Sequence, residues 1–312
     1  MNITGLHHLT AISGDPARNV RFYNEVLGLR LVKRTVNFDD PGTWHLYYGD
    51  HLGSAGTILT FFPFANVPRA RPGAGEVSSF AFQIPVGSTA FWRSHLDRLS
   101  APYAEVAKRF GEHRLQVRDP DGFRIDLVET SAPSTTTPWQ DSPIPPEYAL
   151  QTFHGATLLL RETGPTGALL TDVMGAHSAG REIHFQRFIL GRGPAAAHID
   201  LERDPAAPTA TPGAGSVHHI AWRTPDDESQ LEALRTLRDA RIPVSPVRDR
   251  FYFNSIYFRE PGGVLFEVAT DPPGFQVDET IETLGTKLKL PPEYEPHRDT
   301  IAAQLPSLKI LQ

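Results

Sequence analysis

The chain has 312 residues, with 30 Lys and Arg against 36 Asp and Glu and a formal net charge of −6; that balance excludes the cationic surplus a dedicated nucleic-acid binder needs. It contains no cysteine, which excludes disulfide frameworks, zinc ribbons, iron–sulfur clusters and thiol nucleophiles together and leaves His, Asp and Glu as the strong metal ligands. No apolar run reaches the ~18 residues of a membrane helix, so a soluble, cytoplasmic protein without membrane or nucleic-acid partners is expected, with a length that suits about two domains.

In chain order, GLHHLTAI at 5–12 reads as a strand. Asp15 and Pro16 then form an N-cap and first helical turn, followed at helical spacing by Val20, Tyr23 and Leu27 and stopped by Gly28. Leu29 and Leu31, Trp44 to Tyr48 and Thr57 to Phe62 complete the first unit as strands. A loop over 67–77 leads to SSFAFQIP at 78–85, and this second unit closes on DPDGFRID at 119–126. The Pro-, Ser- and Thr-rich stretch 131–148 is a linker. FHGATLLL at 153–160 opens a third unit, and VHHIAWRTP at 217–225 opens a fourth after the loop 205–215. Asp226 and Asp227 start a helix with Leu231, Leu234 and Leu237 on its buried face; Tyr252 to Phe258 and Val264 to Thr270 return as strands around a PGG turn. The octets starting at Asp119 and Glu260 repeat at nearly the same spacing as the openings before them, which marks an internal repeat. The expected fold is α+β, four βαβββ modules paired into two domains: residues 1–130, a linker over 131–151, residues 152–275, and a polar tail over 276–312 that wraps the surface.

Glu267 lies in GGVLFEVATD among apolar neighbours. A lone buried carboxylate costs several kcal/mol, so it needs either an arginine such as Arg259 or Arg250, or a metal ion. The doublets His7-His8 and His218-His219 stand on strands that open their units. Adjacent strand residues point to opposite faces, so at most one member of each doublet faces a common cavity directly. His8, His219 and Glu267 would form a two-histidine, one-carboxylate set with open positions, the arrangement suited to non-haem Fe(II) and dioxygen. Thr10 shares a strand face with His8. Phe61, Phe62, Phe253 and Trp222 are candidates for apolar cavity walls, and the histidines outside the doublets and His154, His45 included, are assigned no chemistry.

The four units, GLHHLTAI, NEVLGLRLVKRTVNFDDP (24–41), WHLYYGD (44–50), SVHHIAW, PGGVLFEVATD, WQDSPIPPEY (139–148) and LGTKLKLPP (284–292) together resemble the vicinal oxygen chelate superfamily of glyoxalases, bleomycin resistance proteins and extradiol dioxygenases. More narrowly they are similar to its hydroquinone-type ring-cleaving dioxygenases, over nearly the whole chain. The resemblance implies Fe(II) on His8, His219 and Glu267, with Mn(II) accepted by the same donors. It also implies functional roles for His7, Thr10, His218, Arg250 and Tyr257, with a small aromatic diol and dioxygen as substrates. His7 and His218 would need a bulge or a strand-end twist to reach the substrate. In other two-domain members the ligands come from the C-terminal half, which makes His154 the rival to His8. Glyoxalase-type relatives use four protein ligands, and TILTFFPF (57–64) offers neither carboxylate nor imidazole for a fourth. Ser79 stands where the fourth unit has His219, so Asp126 reads as a polar strand-end residue. An extradiol catechol dioxygenase, a metal-dependent isomerase or lyase, and a binding protein that sequesters an aromatic compound or antibiotic are the alternative functions; self-association is left open.

Overall fold

The computed structural model describes residues 1–308. The first module comprises β1 (Gly5–Ser13), α1 (Pro16–Arg21), β2 (Arg30–Asn37), β3 (Asp40–Gly49) and β4 (Ile58–Pro63). The second comprises β5 (Glu76–Pro85), α2 (Thr89–Arg98), β6 (Tyr103–Arg109), β7 (Glu112–Arg118) and β8 (Arg124–Thr130). The third comprises β9 (Phe153–Leu160), α3 (Gly164–Ala168), β10 (His177–Arg181), β11 (Phe185–Leu190) and β12 (Ala197–Arg203). The fourth comprises β13 (Ser216–Thr224), α4 (Asp227–Asp239), β14 (Arg248–Asp249), β15 (Phe253–Arg259) and β16 (Leu265–Pro273), and α5 (Arg298–Gln304) follows in the tail. All four modules have the expected βαβββ order.

The helices begin where their caps dictate. Asp15 accepts hydrogen bonds from the Ala17 and Arg18 amides at 2.8 and 3.2 Å, with Pro16 at the first helical position. The helix runs on as a single π-helical turn to Val26 before Gly28, at φ 69°, ends the element. Asp226 caps α4 through the Ser229 amide at 2.8 Å. Its buried face is Gln230, Ala233, Leu234 and Leu237, whereas Leu231 is 41% exposed, because the stripe is set by the sheet below rather than by leucine spacing alone.

The strands form two eight-stranded sheets. One runs β14, β15, β16, β13, β1, β4, β3, β2, and the other β10, β11, β12, β9, β5, β8, β7, β6. The first sheet therefore joins the first module to the fourth and the second joins the second module to the third, so each sheet is shared between residues 1–130 and residues 152–275. At each centre two opening strands pair antiparallel, β1 with β13 and β5 with β9. The two connectors that cross between sheets clasp each other, with bridges from Arg69 to Ala214, Arg71 to Thr211 and Ala74 to Thr209. A side chain at Gly73 would strike the Pro208 carbonyl and one at Gly213 the Pro68 carbonyl, each at 2.3 Å, which is why both copies of PGAG keep glycine there.

The linker is ordered against the second module, where Tyr148 stacks on Phe91 at 4.3 Å and its carbonyl accepts from Trp92 Nε1 at 3.1 Å. The tail binds the first module. Lys33 is fully buried on β2 and donates to the Phe275 carbonyl at 3.1 Å, to Asp278 at 2.6 Å and to Glu279. Trp44 on β3 donates to the Pro306 carbonyl at 2.7 Å.

Candidate metal centre and active site

The β1–β13 pairing carries two bulges, and both fall on the histidine doublets. The register steps from Leu6↔Trp222 to His8↔Ala221, leaving His7 extra, and from Thr10↔His219 to Ala11↔Val217, leaving His218 extra. A bulge lets two neighbouring residues escape strict alternation and re-aims their side chains. Glu267 enters from β16, directly beside Ala221.

These strands bring His8, His219 and Glu267 together, all buried. His219 Nε2 lies 2.9 Å from Glu267 Oε2, His8 Nε2 lies 3.4 Å from the same oxygen, and the two Nε2 atoms are 3.3 Å apart. The other carboxylate oxygen accepts from Ser255. Burial pushes the Glu267 carboxyl up, but the two imidazoles outweigh that and hold it well below the usual carboxylate range, so it is anionic at neutral pH. Despite its close neighbours Oε2 has no hydrogen-bond partner. A buried, unbonded anionic oxygen facing two imidazole nitrogens is a donor set that fits a divalent cation.

The outer nitrogens are arranged for the same purpose. His8 Nδ1 lies 2.9 Å from His7 Nδ1, and His219 Nδ1 lies 2.8 Å from His218 Nδ1. If the inner nitrogens bind a metal, the Nδ1 protons point outward and His7 and His218 accept them, which fixes ring orientation and tautomer. Both accepting rings are held neutral. Burial and the neighbouring His8 keep His7 well below the ordinary imidazole range, and burial and His219 bring His218 down to about 4.

His8 and His219 open on a cavity of about 670 Å³ whose lining also includes Thr10, His218, Arg250 and Tyr257. Arg250 Nε donates to the Tyr257 hydroxyl at 3.1 Å, and its Nη1 lies 3.5 Å from Asp39. A left-handed residue, Phe251 at φ 67°, turns the chain so that Arg250 reaches inward. Burial, then the charge of Glu267, raises the Tyr257 hydroxyl above its usual range, so it stays protonated. His7 does not line the cavity; it is buried beside His8 with its ring 5.1 Å from Phe253. Of the four aromatic wall candidates, Phe62 and Phe253 line the cavity, while Phe61 and Trp222 point into the core.

The remaining wall comes from residues to which sequence reasoning assigned no chemistry, among them Asn37, Phe38, His45, Tyr47 and Arg248. The available signal was WHLYYGD, where His45 and Tyr47 alternate onto one face of a strand otherwise lined for the core.

His154 lies in the other sheet, with Nε2 bonded to Glu112 at 2.9 Å, so it is not among the groups around Glu267. That sheet repeats the site's layout with different chemistry. Asp126 takes the register of Glu267, Gly155 that of His8 and Ser79 that of His219. Arg114, in the register of Ser255, lies 3.1 Å from Asp126 and 2.9 Å from Glu112; Arg187 bonds Asp200 at 2.7 Å and Glu112 at 2.8 Å. Glu112, His154 and His198 also converge, but these guanidinium groups already supply the positive charge a metal would bring. Asp126, expected to be a polar strand-end residue, is instead half of a buried ion pair.

The fourth-ligand question has a register answer. Thr60 stands beside Thr10 on the β1–β4 side as Glu267 stands beside Ala221 on the β13–β16 side. A hydroxyl replaces a carboxylate, and three protein donors remain.

The chain belongs to the Glyoxalase/Bleomycin resistance protein/Dioxygenase superfamily, whose family model matches residues 5–127 and 164–268. Among its relatives is the "Putative ring-cleaving dioxygenase MhqO" of Bacillus subtilis (strain 168), 48% identical over 95% of this chain and 94% of the relative. The "Chlorohydroquinone/hydroquinone 1,2-dioxygenase" of Sphingobium indicum is 33% identical over 96% of this chain and 95% of the relative. The crystal structure of a "putative dioxygenase" from Bacillus subtilis subsp. subtilis str. 168 superposes with a TM-score of 0.95 at 46% identity, covering 100% of this chain and 99% of that one.

Proposed function

We propose that the protein is an Fe(II)-dependent dioxygenase that cleaves the ring of a hydroquinone or substituted hydroquinone, with His8, His219 and Glu267 holding the metal. The observation that carries this reading is the convergence of His8, His219 and Glu267, with both imidazoles lining an aromatic-walled cavity and Glu267 Oε2 left without a hydrogen bond between them. Relatives matching over 95 and 96% of the chain bear ring-cleaving and hydroquinone dioxygenase names, which supports the same chemistry. Bound Fe(II) would supply a site where a phenolate oxygen and dioxygen meet; the donor set also suits Mn(II).

The chain's own groups do the rest. Phe62 and Phe253 give the cavity apolar walls that exclude water from a bound ring. His218, with Nδ1 committed to His219, keeps its remaining proton on Nε2 and acts as a neutral donor to a substrate oxygen in the cavity. Arg250, with its positive charge turned inward, stabilises negative charge that develops on substrate oxygen, and its hydrogen bond fixes the Tyr257 hydroxyl as a second polar contact. His7 holds His8 from behind, and Thr10 borders the trio on the His8 strand face. A cytoplasmic location belongs to the same proposal, because a reducing compartment keeps such a site in its ferrous state.

The test is oxygen uptake on adding hydroquinone to protein reconstituted with Fe(II) under nitrogen. Uptake of one dioxygen per ring opened is expected, and its absence with both hydroquinone and catechol would overturn the reading. Metal analysis of His8→Ala and His154→Ala separates the ligands: the first should lose iron and the second retain it.

A further inference from the structure

On the other side of the β1–β13 pair, the cavity has a second tyrosine in the mirrored place. Tyr257 stands opposite Glu267 on β15–β16, and Tyr47 stands opposite Thr60 on β3–β4. Each has a polar residue two positions earlier on its strand, Ser255 and His45, turned to the same face. Only the carboxylate of the proposed ligand set lies on one side alone of this pseudo-symmetric arrangement, Glu267 on β16 where β4 has Thr60. The other half is a chain of hydrogen bonds with no cation in it.

Proton counting gives that chain a direction. The Thr60 hydroxyl donates to Thr10 Oγ1 at 2.9 Å. With its own proton committed, Thr60 can only accept from His45, whose Nε2 is 2.8 Å away. A neutral imidazole protonated at Nε2 has a bare Nδ1, and the Tyr47 hydroxyl lies 2.9 Å from it and donates there. Burial, reinforced by the nearby His8 and His219, holds His45 well below the usual imidazole range, consistent with this neutral form. Tyr47 has then spent its only proton inward. Its oxygen meets the cavity with lone pairs alone, held in place by a ring packed on Phe275 and Tyr252.

We propose that Tyr47, oriented by the relay through His45, Thr60 and Thr10, is a specificity residue that accepts a hydrogen bond from the diol hydroxyl not held at the metal. It selects a free O–H over a methyl ether or a bare C–H at that place, because only the O–H satisfies a buried acceptor. This rests on the aromatic-diol reading above and names which feature of the diol is recognised.

Calorimetry under nitrogen on the full-length Fe(II)-loaded protein, with hydroquinone, 4-methoxyphenol and phenol as ligands, tests it. Hydroquinone should bind about tenfold more tightly than either of the others, and Tyr47→Phe should bring the three affinities together while leaving that of phenol unchanged. Tyr48→Phe is the control. Its hydroxyl donates to Asn19 at 2.8 Å in the core, away from the cavity, so it should keep the preference. Should Tyr47→Phe not fold, Thr60→Val is read instead; it removes the acceptor that holds the His45 proton on Nε2 and should lower the preference severalfold. Equal affinities in the wild type, or a preference that survives these substitutions, would overturn the assignment. Selective binding without oxygen uptake would sink ring cleavage and leave Tyr47 standing; uptake without selectivity would do the reverse.

Discussion

Two histidines act here by holding two others. His7 and His218 each face the outer nitrogen of a proposed ligand at under 3 Å, but only His218 lines the cavity. The pair can therefore be separated experimentally. Removing a partner that orients a metal-binding histidine costs about 10–100-fold in metal affinity, so His7→Leu and His218→Leu should both weaken binding by that amount in a chelator competition. At saturating metal, His7→Leu should recover near-normal turnover because leucine refills the space against Phe253. His218→Leu should remain slow because a donor in the cavity is gone. Equal residual rates in the two variants would show that His218 only props its neighbour. The sequence made the doublets conspicuous, since both open repeated units and both sit among apolar residues. It could not say which member faces inward, because strict alternation allows one of each and the bulges that relax it are a property of the paired strands. His45 and Tyr47 were hidden for a related reason: a half-buried strand reads the same whether its inner face meets a core or a cavity. Phe61 and Phe62 divide between those two destinations for a reason visible only once β4 has its partners.

At the scale of elements, the same βαβββ unit supports two opposite solutions to one electrostatic problem. In the first sheet a buried carboxylate faces two imidazoles, a donor set that fits a cation. In the second, Asp126, Asp200 and Glu112 are satisfied by Arg114 and Arg187 from within the chain. Burial acts to raise Glu112, yet His154, His198 and Arg187 hold it far below the ordinary carboxylate range. Such a network is costly to break, because removing one partner strands the others without water. Arg114→Met should lower unfolding free energy by about 3–5 kcal/mol, seen as a drop in denaturant midpoint, while metal content stays at the wild-type level because none of the proposed ligands lies in that sheet. A neutral result would mean that water reaches the carboxylates. The repeat itself was legible from the matching octets at Asp119 and Glu260. That the second unit lacks a histidine in the register of His219 was also legible, since Ser79 stands there.

The whole molecule is tied together across its sequence midpoint. Matching octets reveal that units repeat but not which of them share a sheet, and the linker at 131–148 suggests a division by chain order that the strand pairing does not follow. Residues 1–130 and 152–308 each contain half of both sheets, and the central β1–β13 and β5–β9 pairs both run between them. Either half expressed alone would expose the long unpaired edges of β1 and β5, or of β9 and β13, over uncovered cores, so neither should give a cooperative unfolding transition by circular dichroism. Co-expressed, the two should copurify. The proposed metal site spans the same seam, with His8 from one half and His219 and Glu267 from the other. Binding there favours the joined state by mass action, about 2.7 kcal/mol when free metal is a hundred times its dissociation constant. Chelation should therefore lower the thermal midpoint of the intact protein and weaken association of the two halves together. Glu267→Gln should show neither response to added Fe(II); an unchanged midpoint on chelation of the wild type would place the metal's grip elsewhere than on this seam.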